Sequence, residues 1–192
     1  MNLPNKLTIS RIFLTFLFMF FIAQKGLSAA VMATIIFTLA SLTDFFDGYL
    51  AKKYHLISDF GKLMDPIADK FLILAAFIAF VRLQLVVDWM VVVILGREII
   101  ITGLRFYALT KGQVLAAEKA GKHKTVSQMV AIFTILGFIV VREALTKTTY
   151  WSGTIELWWR QGIDVLMVVT VALTLISGIS YLWNNRKFIY VQ

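Results

Sequence analysis

Apolar runs set the rhythm of this chain. They cover residues 12–24, 29–52, 63–83, 86–109, 123–142 and 162–184. Most approach or exceed the roughly 20 residues that a helix needs to cross a bilayer core. Polar segments separate them. Residues 53–61 read as a turn with Ser58, Asp59 and Gly61, and residues 110–121 as a connector with Gly112 and Gly121. Residues 143–161 are polar and aromatic, with Trp151, Trp158 and Trp159 suited to a membrane interface. Ahead of the first run, residues 1–11 mix Leu3, Leu7 and Ile9 with Lys6 and Arg11, the pattern of a short interfacial helix. That start, with Ser28, Ala29 and Ala30 behind the first run, also mimics a secretory signal, and the remaining chain would still be a membrane protein. Pro66 falls in the first turn of the third run, where a missing N–H costs least. The pattern predicts an all-α integral membrane protein: a bundle of six transmembrane helices behind a short N-terminal interfacial helix, one domain over residues 1–192. No fixed-period repeat interrupts it.

Composition agrees. Of 192 residues, 59% are hydrophobic and 16% charged, a membrane balance. There are no cysteines, which excludes disulfides and thiolate sites. His55 and His123 are the only histidines, too few for a histidine-rich zinc site. The net charge of +8 reads as topology and attraction to anionic lipid, and no basic-aromatic motif supports nucleic-acid binding. With six spans, one side carries Lys6, Arg11, Lys52, Lys53, Lys62, Lys111, Lys119, Lys122, Lys124, Arg186 and Lys187; the other carries Lys25, Arg82, Arg142, Lys147 and Arg160. The richer side holds both termini, which the positive-inside rule places in the cytoplasm.

Between the second and third runs the chain gathers its carboxylates. Asp44 and Asp47 end one run at i,i+3; Asp65 and Asp69 open the next at i,i+4. On helices each pair shares a face, and a turn between antiparallel helices brings the pairs together. Carboxylates at membrane depth need a partner that offsets their desolvation. An all-oxygen set suits Mg²⁺ or Mn²⁺, and two ions would neutralise the four charges and leave positions for phosphate oxygens. Gly48 and Gly61 allow a bulky ligand near the backbone, and Lys52 and Lys53 can face phosphate. Asp59, in the turn, reads as an ordinary surface charge.

Two basic groups lie further along the chain. Arg97 and Arg105, eight residues apart, project on nearly one face of the fourth helix, and Arg97 lies within an apolar run. Guanidinium forks suit phosphate; pairing of Arg97 with one of the Asp residues is the purely structural alternative. Gly103 on the same helix reads as a packing glycine. Gly121-Lys122-His123-Lys124-Thr125 opens the fifth helix with a glycine and bases, a place to hold an anion at a helix N-terminus. Lys124 itself reads as part of the topology signal, and His123 as interfacial.

These residues carry a resemblance. The pattern D-x-x-D-G-x-x-A-R, eight residues, G-x-x-x-D-x-x-x-D marks the CDP-alcohol phosphotransferases. The chain matches it at Asp44, Asp47, Gly48, Ala51, Gly61, Asp65 and Asp69, and departs at Lys52, where the family has Arg. Residues 2–8, 97–105 and 121–125 resemble segments of members that use glycerol 3-phosphate. The resemblance implies a six-helix homodimer with a polar cavity open to the cytoplasm. It implies transfer of the phosphatidyl group of CDP-diacylglycerol to sn-glycerol 3-phosphate, giving phosphatidylglycerophosphate and CMP. It also implies roles. Asp44, Asp47, Asp65 and Asp69 hold metal, and Asp69 accepts the proton of the attacking hydroxyl. Asp44, Gly48, Lys52 and Gly61 line the CDP site. Arg97, Arg105 and Lys122 hold the acceptor phosphate, with Thr8 and Arg11 near the entrance. Another acceptor (inositol phosphate, serine or phosphatidylglycerol) and a transporter with intramembrane carboxylates are the alternatives. The Asp spacing and six runs disfavour an Asp-rich prenyltransferase.

Overall fold

The computed structural model describes the backbone of residues 3–54, 59–112, 120–146 and 151–186, and the side chains of residues 9–43, 70–112, 123–146 and 151–186. Each apolar run becomes a helix: α1 Leu3–Ile22, α2 Leu27–Tyr54, α3 Asp59–Arg82, α4 Asp88–Thr110, α5 Ala120–Leu145 and α6 Gly153–Asn184. No strand occurs among the described residues.

Several boundaries differ from the sequence expectation. No separate interfacial helix precedes the first run; α1 is continuous from Leu3 to Ile22. Its one proline, Pro4, sits in the first turn, and no glycine follows it before Ile22, so nothing breaks the helix at the expected joint. The 143–161 connector is also mostly helical. α6 begins at Gly153 because Ser152 caps it, its Oγ accepting from the Ile155 N–H at 3.3 Å. α2 runs on to Tyr54 and α3 starts at Asp59, which shortens the expected turn; His55 to Ser58 lie outside the described residues.

By length and composition, two helices among the described residues can cross a membrane: His123–Leu145 and Gly153–Asn184. α1 and α2 contribute shorter apolar stretches, Ile9–Ile22 and Leu27–Thr43. The outward faces are greasy: Phe13, Phe16 and Phe20 on α1, Val92, Ile99 and Ile100 on α4, and Val165, Ile176 and Ile179 on α6 are all exposed. A face of that kind belongs in lipid.

Small residues let the first two helices approach closely, with Ala29, Ala30, Ala33 and Ala40 buried along α2. Phe18 of α1 stacks on Phe37 of α2 at 5.5 Å, and Phe37 meets Phe133 of α5 at 5.5 Å. α3 packs against α1, α2, α4 and α5, while α6 packs on α4 and α5. One set of turns is tied by side chains from far along the chain. The turn before α2 needs Gly26 at φ 105°, a left-handed conformation, and its N–H donates to Glu143 Oε2 at 3.1 Å. The turn before α4 holds Gln84 at φ 55°, and Arg160 Nη1 donates to the Gln84 carbonyl at 3.1 Å.

Candidate functional site

α3 links the two kinds of charge. Because α3 begins at Asp59, Asp65 and Asp69 fall about two and three turns into it and Pro66 lies inside the helix, not in its first turn as expected; Lys70 comes immediately after Asp69. The Lys70 ammonium donates to Thr102 Oγ1 on α4 and lies 3.8 Å from Glu98 Oε2. The neighbouring α4 thus reaches the end of the carboxylate stretch. Asp44 and Asp47 ride on α2, which packs against α3. The backbone therefore puts each Asp pair on a helix at the expected spacing. The side chains of Asp44, Asp47, Gly48, Lys52, Gly61, Asp65, Asp69, Lys122 and Thr8 lie outside the described residues. As a donor set, four carboxylates on two touching helices fit a hard divalent cation. Among the described residues, no other group of acidic, histidine or cysteine side chains does.

Glu98 is the centre of the described charges. Lys124 from α5 donates to its Oε1, Arg97 Nη1 stands 3.6 Å from the same oxygen, and Lys70 closes from α3. Three helices thus deliver three cations to one carboxylate. The centre of the cluster is shielded, with the Lys124 side chain 8% exposed, Arg97 11% and Glu98 15%, while Lys70 is 34% exposed and Arg105 is exposed. In such surroundings charges interact much more strongly than at a wet surface. Arg97 stands beside Glu98 of its own helix, and the alternative pairing with an Asp of the carboxylate stretch falls on side chains outside the described residues.

Arg97 and Arg105 do share a face, the one turned to α6. Arg97 Nη2 donates to Ser177 Oγ at 2.7 Å. Arg105 Nε donates to Tyr181 Oη at 3.3 Å, with its guanidinium carbon 5.1 Å from the tyrosine ring centre. Both pairings ascend together, so α4 and α6 run in the same direction. Arg11 is fully buried within α1, with the Thr15 hydroxyl donating to its carbonyl at 2.8 Å. His123 is exposed. Gly103 has open space where a Cβ would stand, which corrects its reading as a packing glycine within this chain.

Two features escaped the sequence. Lys124, expected to mark topology only, is buried against Glu98: its neighbours His123, Thr125 and Val126 are exposed, and only its long side chain turns inward to reach α4. On α6, Thr170, Thr174, Ser177 and Tyr181 recur at helical spacing inside an apolar run, and all four are buried. That periodicity is a signal available in the sequence.

Comparison with known proteins points the same way. The family profile of the CDP-alcohol phosphatidyltransferases matches residues 1–176. A protein of Bacillus subtilis, named CDP-diacylglycerol–glycerol-3-phosphate 3-phosphatidyltransferase, is 36% identical over 96% of this chain and 95% of its own length. Its namesake in Rickettsia bellii is 38% identical over 97% of each chain. One in Mycoplasma pneumoniae is 34% identical over 79% of this chain and 77% of its own. With the spaced carboxylates on α2 and α3 and the match over most of its length, the chain belongs to the CDP-alcohol phosphatidyltransferase family.

Proposed function

We propose that the chain transfers the phosphatidyl group of CDP-diacylglycerol to sn-glycerol 3-phosphate, releasing phosphatidylglycerophosphate and CMP. The family and the names of the relatives support the reaction class and the acceptor. The observation that carries the reading is the cationic cluster of Lys70, Arg97, Lys124 and Arg105 beside the carboxylate helices, with Glu98 at its centre. Such a cluster favours a dianionic phosphate over an uncharged acceptor.

In this reading Asp44, Asp47, Asp65 and Asp69 hold Mg²⁺ or Mn²⁺, in two ions. When bound, the metal supplies charge neutralisation at the pyrophosphate. Asp44, Gly48, Lys52 and Gly61 line the CDP portion. Arg97, Arg105 and Lys122 hold the phosphate of glycerol 3-phosphate, while Thr8 and Arg11 lie near the entrance. The acceptor hydroxyl oxygen bonds to the phosphorus that bears diacylglycerol. The bond from that phosphorus to CMP breaks, CMP leaves with the electron pair, and Asp69 takes the hydroxyl proton. All six helices span the membrane as a homodimer, with the termini and the site on the cytoplasmic side. The exposed apolar faces and the distribution of Lys and Arg support that orientation.

The test is CMP release from CDP-diacylglycerol in detergent micelles with Mg²⁺, with no acceptor, with glycerol 3-phosphate and with glycerol. Release that depends on glycerol 3-phosphate is expected. Equal use of glycerol would refute the cationic pocket, and release with serine or inositol phosphate instead would reassign the acceptor.

A further inference from the structure

The two arginines of α4 rest on a short segment of α6 that begins just beyond residue 176, where the family match ends. Ser177 takes the Arg97 Nη2 hydrogen bond at 2.7 Å, and Arg97 Nη1 lies 3.6 Å from Glu98, so the guanidinium is held from two sides. The stem of Arg97 lies along the bare backbone at Gly178. A Cβ added there would stand 3.0 Å from Arg97 Cγ and 3.6 Å from Nε. One turn on, Tyr181 accepts from Arg105 Nε at 3.3 Å and places its ring under the guanidinium. Ser177 and Tyr181 are both buried. Two turns of α4, about 12 Å of rise, are thereby gathered onto one turn of α6, about 6 Å.

We propose that Ser177, Gly178 and Tyr181 form a rack that positions Arg97 and Arg105 and so sets the affinity for the acceptor phosphate. The chemistry of the partners fits the task. Hydroxyl groups are neutral, so from α6 they orient both guanidinium groups without adding to the one carboxylate, Glu98, that already stands beside Arg97. Gly178 fits for its size: it lets the stem of Arg97 lie flat where any Cβ would push it away. The rack is a set of positioning residues, and it rests on the reading of Arg97 and Arg105 as the acceptor's phosphate ligands.

The experiment measures KM for glycerol 3-phosphate, KM for CDP-diacylglycerol and kcat in purified Gly178→Ala, Tyr181→Phe, Arg97→Ala and Arg105→Ala variants. A displacement of a few tenths of an ångström at Arg97 is expected to raise the acceptor KM of Gly178→Ala about tenfold. Tyr181→Phe keeps the ring and volume but loses the hydroxyl, and is expected to raise it about fivefold. The donor KM and kcat at saturating acceptor stay within about twofold in both. If the arginine variants raise the acceptor KM while Tyr181→Phe leaves it unchanged, the rack is overturned and the acceptor reading stands. If the arginine variants leave it unchanged, the acceptor reading falls and takes the rack with it. A parallel change in both KM values and kcat in Tyr181→Phe assigns the residue to packing alone and also overturns the rack. Tyr181→Phe is nearly isosteric and decides the matter by itself should Gly178→Ala not fold.

Discussion

Charges gather at two ends of this bundle, and they are arranged differently. At one end Lys70, Arg97 and Lys124 converge from three helices on Glu98, with Arg105 close by on the same face of α4. At the other end Glu156 and Glu143 each face one arginine. Glu156 accepts from Arg160 Nε and Nη2 at 3.1 and 3.0 Å, and Glu143 lies 3.8 Å from Arg142. The second set is wetter, with the Arg160 and Glu156 side chains 39% and 32% exposed. Its work is visible as structure: Arg160 also ties the turn at Gln84, and Glu143 ties the turn at Gly26. Balanced pairs close turns. A positive excess around a shielded carboxylate is costly to maintain and gains its return only when an anion arrives.

That contrast can be broken or sharpened by mutation. The largest effect is expected at Asp69, one residue before Lys70. Asp69→Asn should keep much of the metal site and lower kcat at least ~100-fold, read by CMP release. Near-normal turnover in a folded protein would remove Asp69 as the base. Arg105→Ala should cost about 1.5–3 kcal/mol of acceptor binding, seen as a raised KM for glycerol 3-phosphate with the CDP-diacylglycerol KM little changed. A defect confined to the donor would move Arg105 to the CDP site. Next come the two glutamates. Glu98→Ala strands the buried Lys124 and should destabilise the protein by about 3–5 kcal/mol in detergent unfolding, whereas Glu156→Ala should cost less than about 1 kcal/mol. Equal costs would erase the distinction between the two ends. Smallest is Lys52→Arg, which restores a phosphate fork on α2 and should leave activity intact or improve donor KM by no more than about threefold. A severe loss would show that lysine is tailored to this chain.

The fold was legible where hydrophobicity alone decides. Six apolar runs became six helices, because a long apolar segment has few other ways to satisfy its backbone away from water. Ends were harder. The cap by Ser152 is a local hydrogen bond that outweighs the polar character of residues 153–161, so α6 starts earlier than its apolar run. The Asp pairs were legible as a motif because their spacing is itself the signal, and the helices of α2 and α3 carry that spacing unchanged. The faces of Arg97 and Arg105 followed from helical geometry. Lys124 did not, because whether a basic residue at a helix entry points to water or inward to a glutamate depends on how α5 is rotated in the bundle, which the local sequence does not state. For Ser177 and Tyr181 the periodic spacing was present, but only packing reveals that it meets two arginines.

The hydrogen bond from the Gly26 N–H to Glu143 joins positions 117 residues apart, and the bond from Arg160 to the Gln84 carbonyl joins positions 76 apart. A ribosome delivers the chain from its N-terminus, so the first of these turns is made long before its latch exists. During synthesis the α1–α2 corner must wait for the end of α5, and the α3–α4 corner for the start of α6. The first corner therefore locks only once α5 is complete, and the second only once α6 has begun. A chain cut short after α4 would carry two open corners.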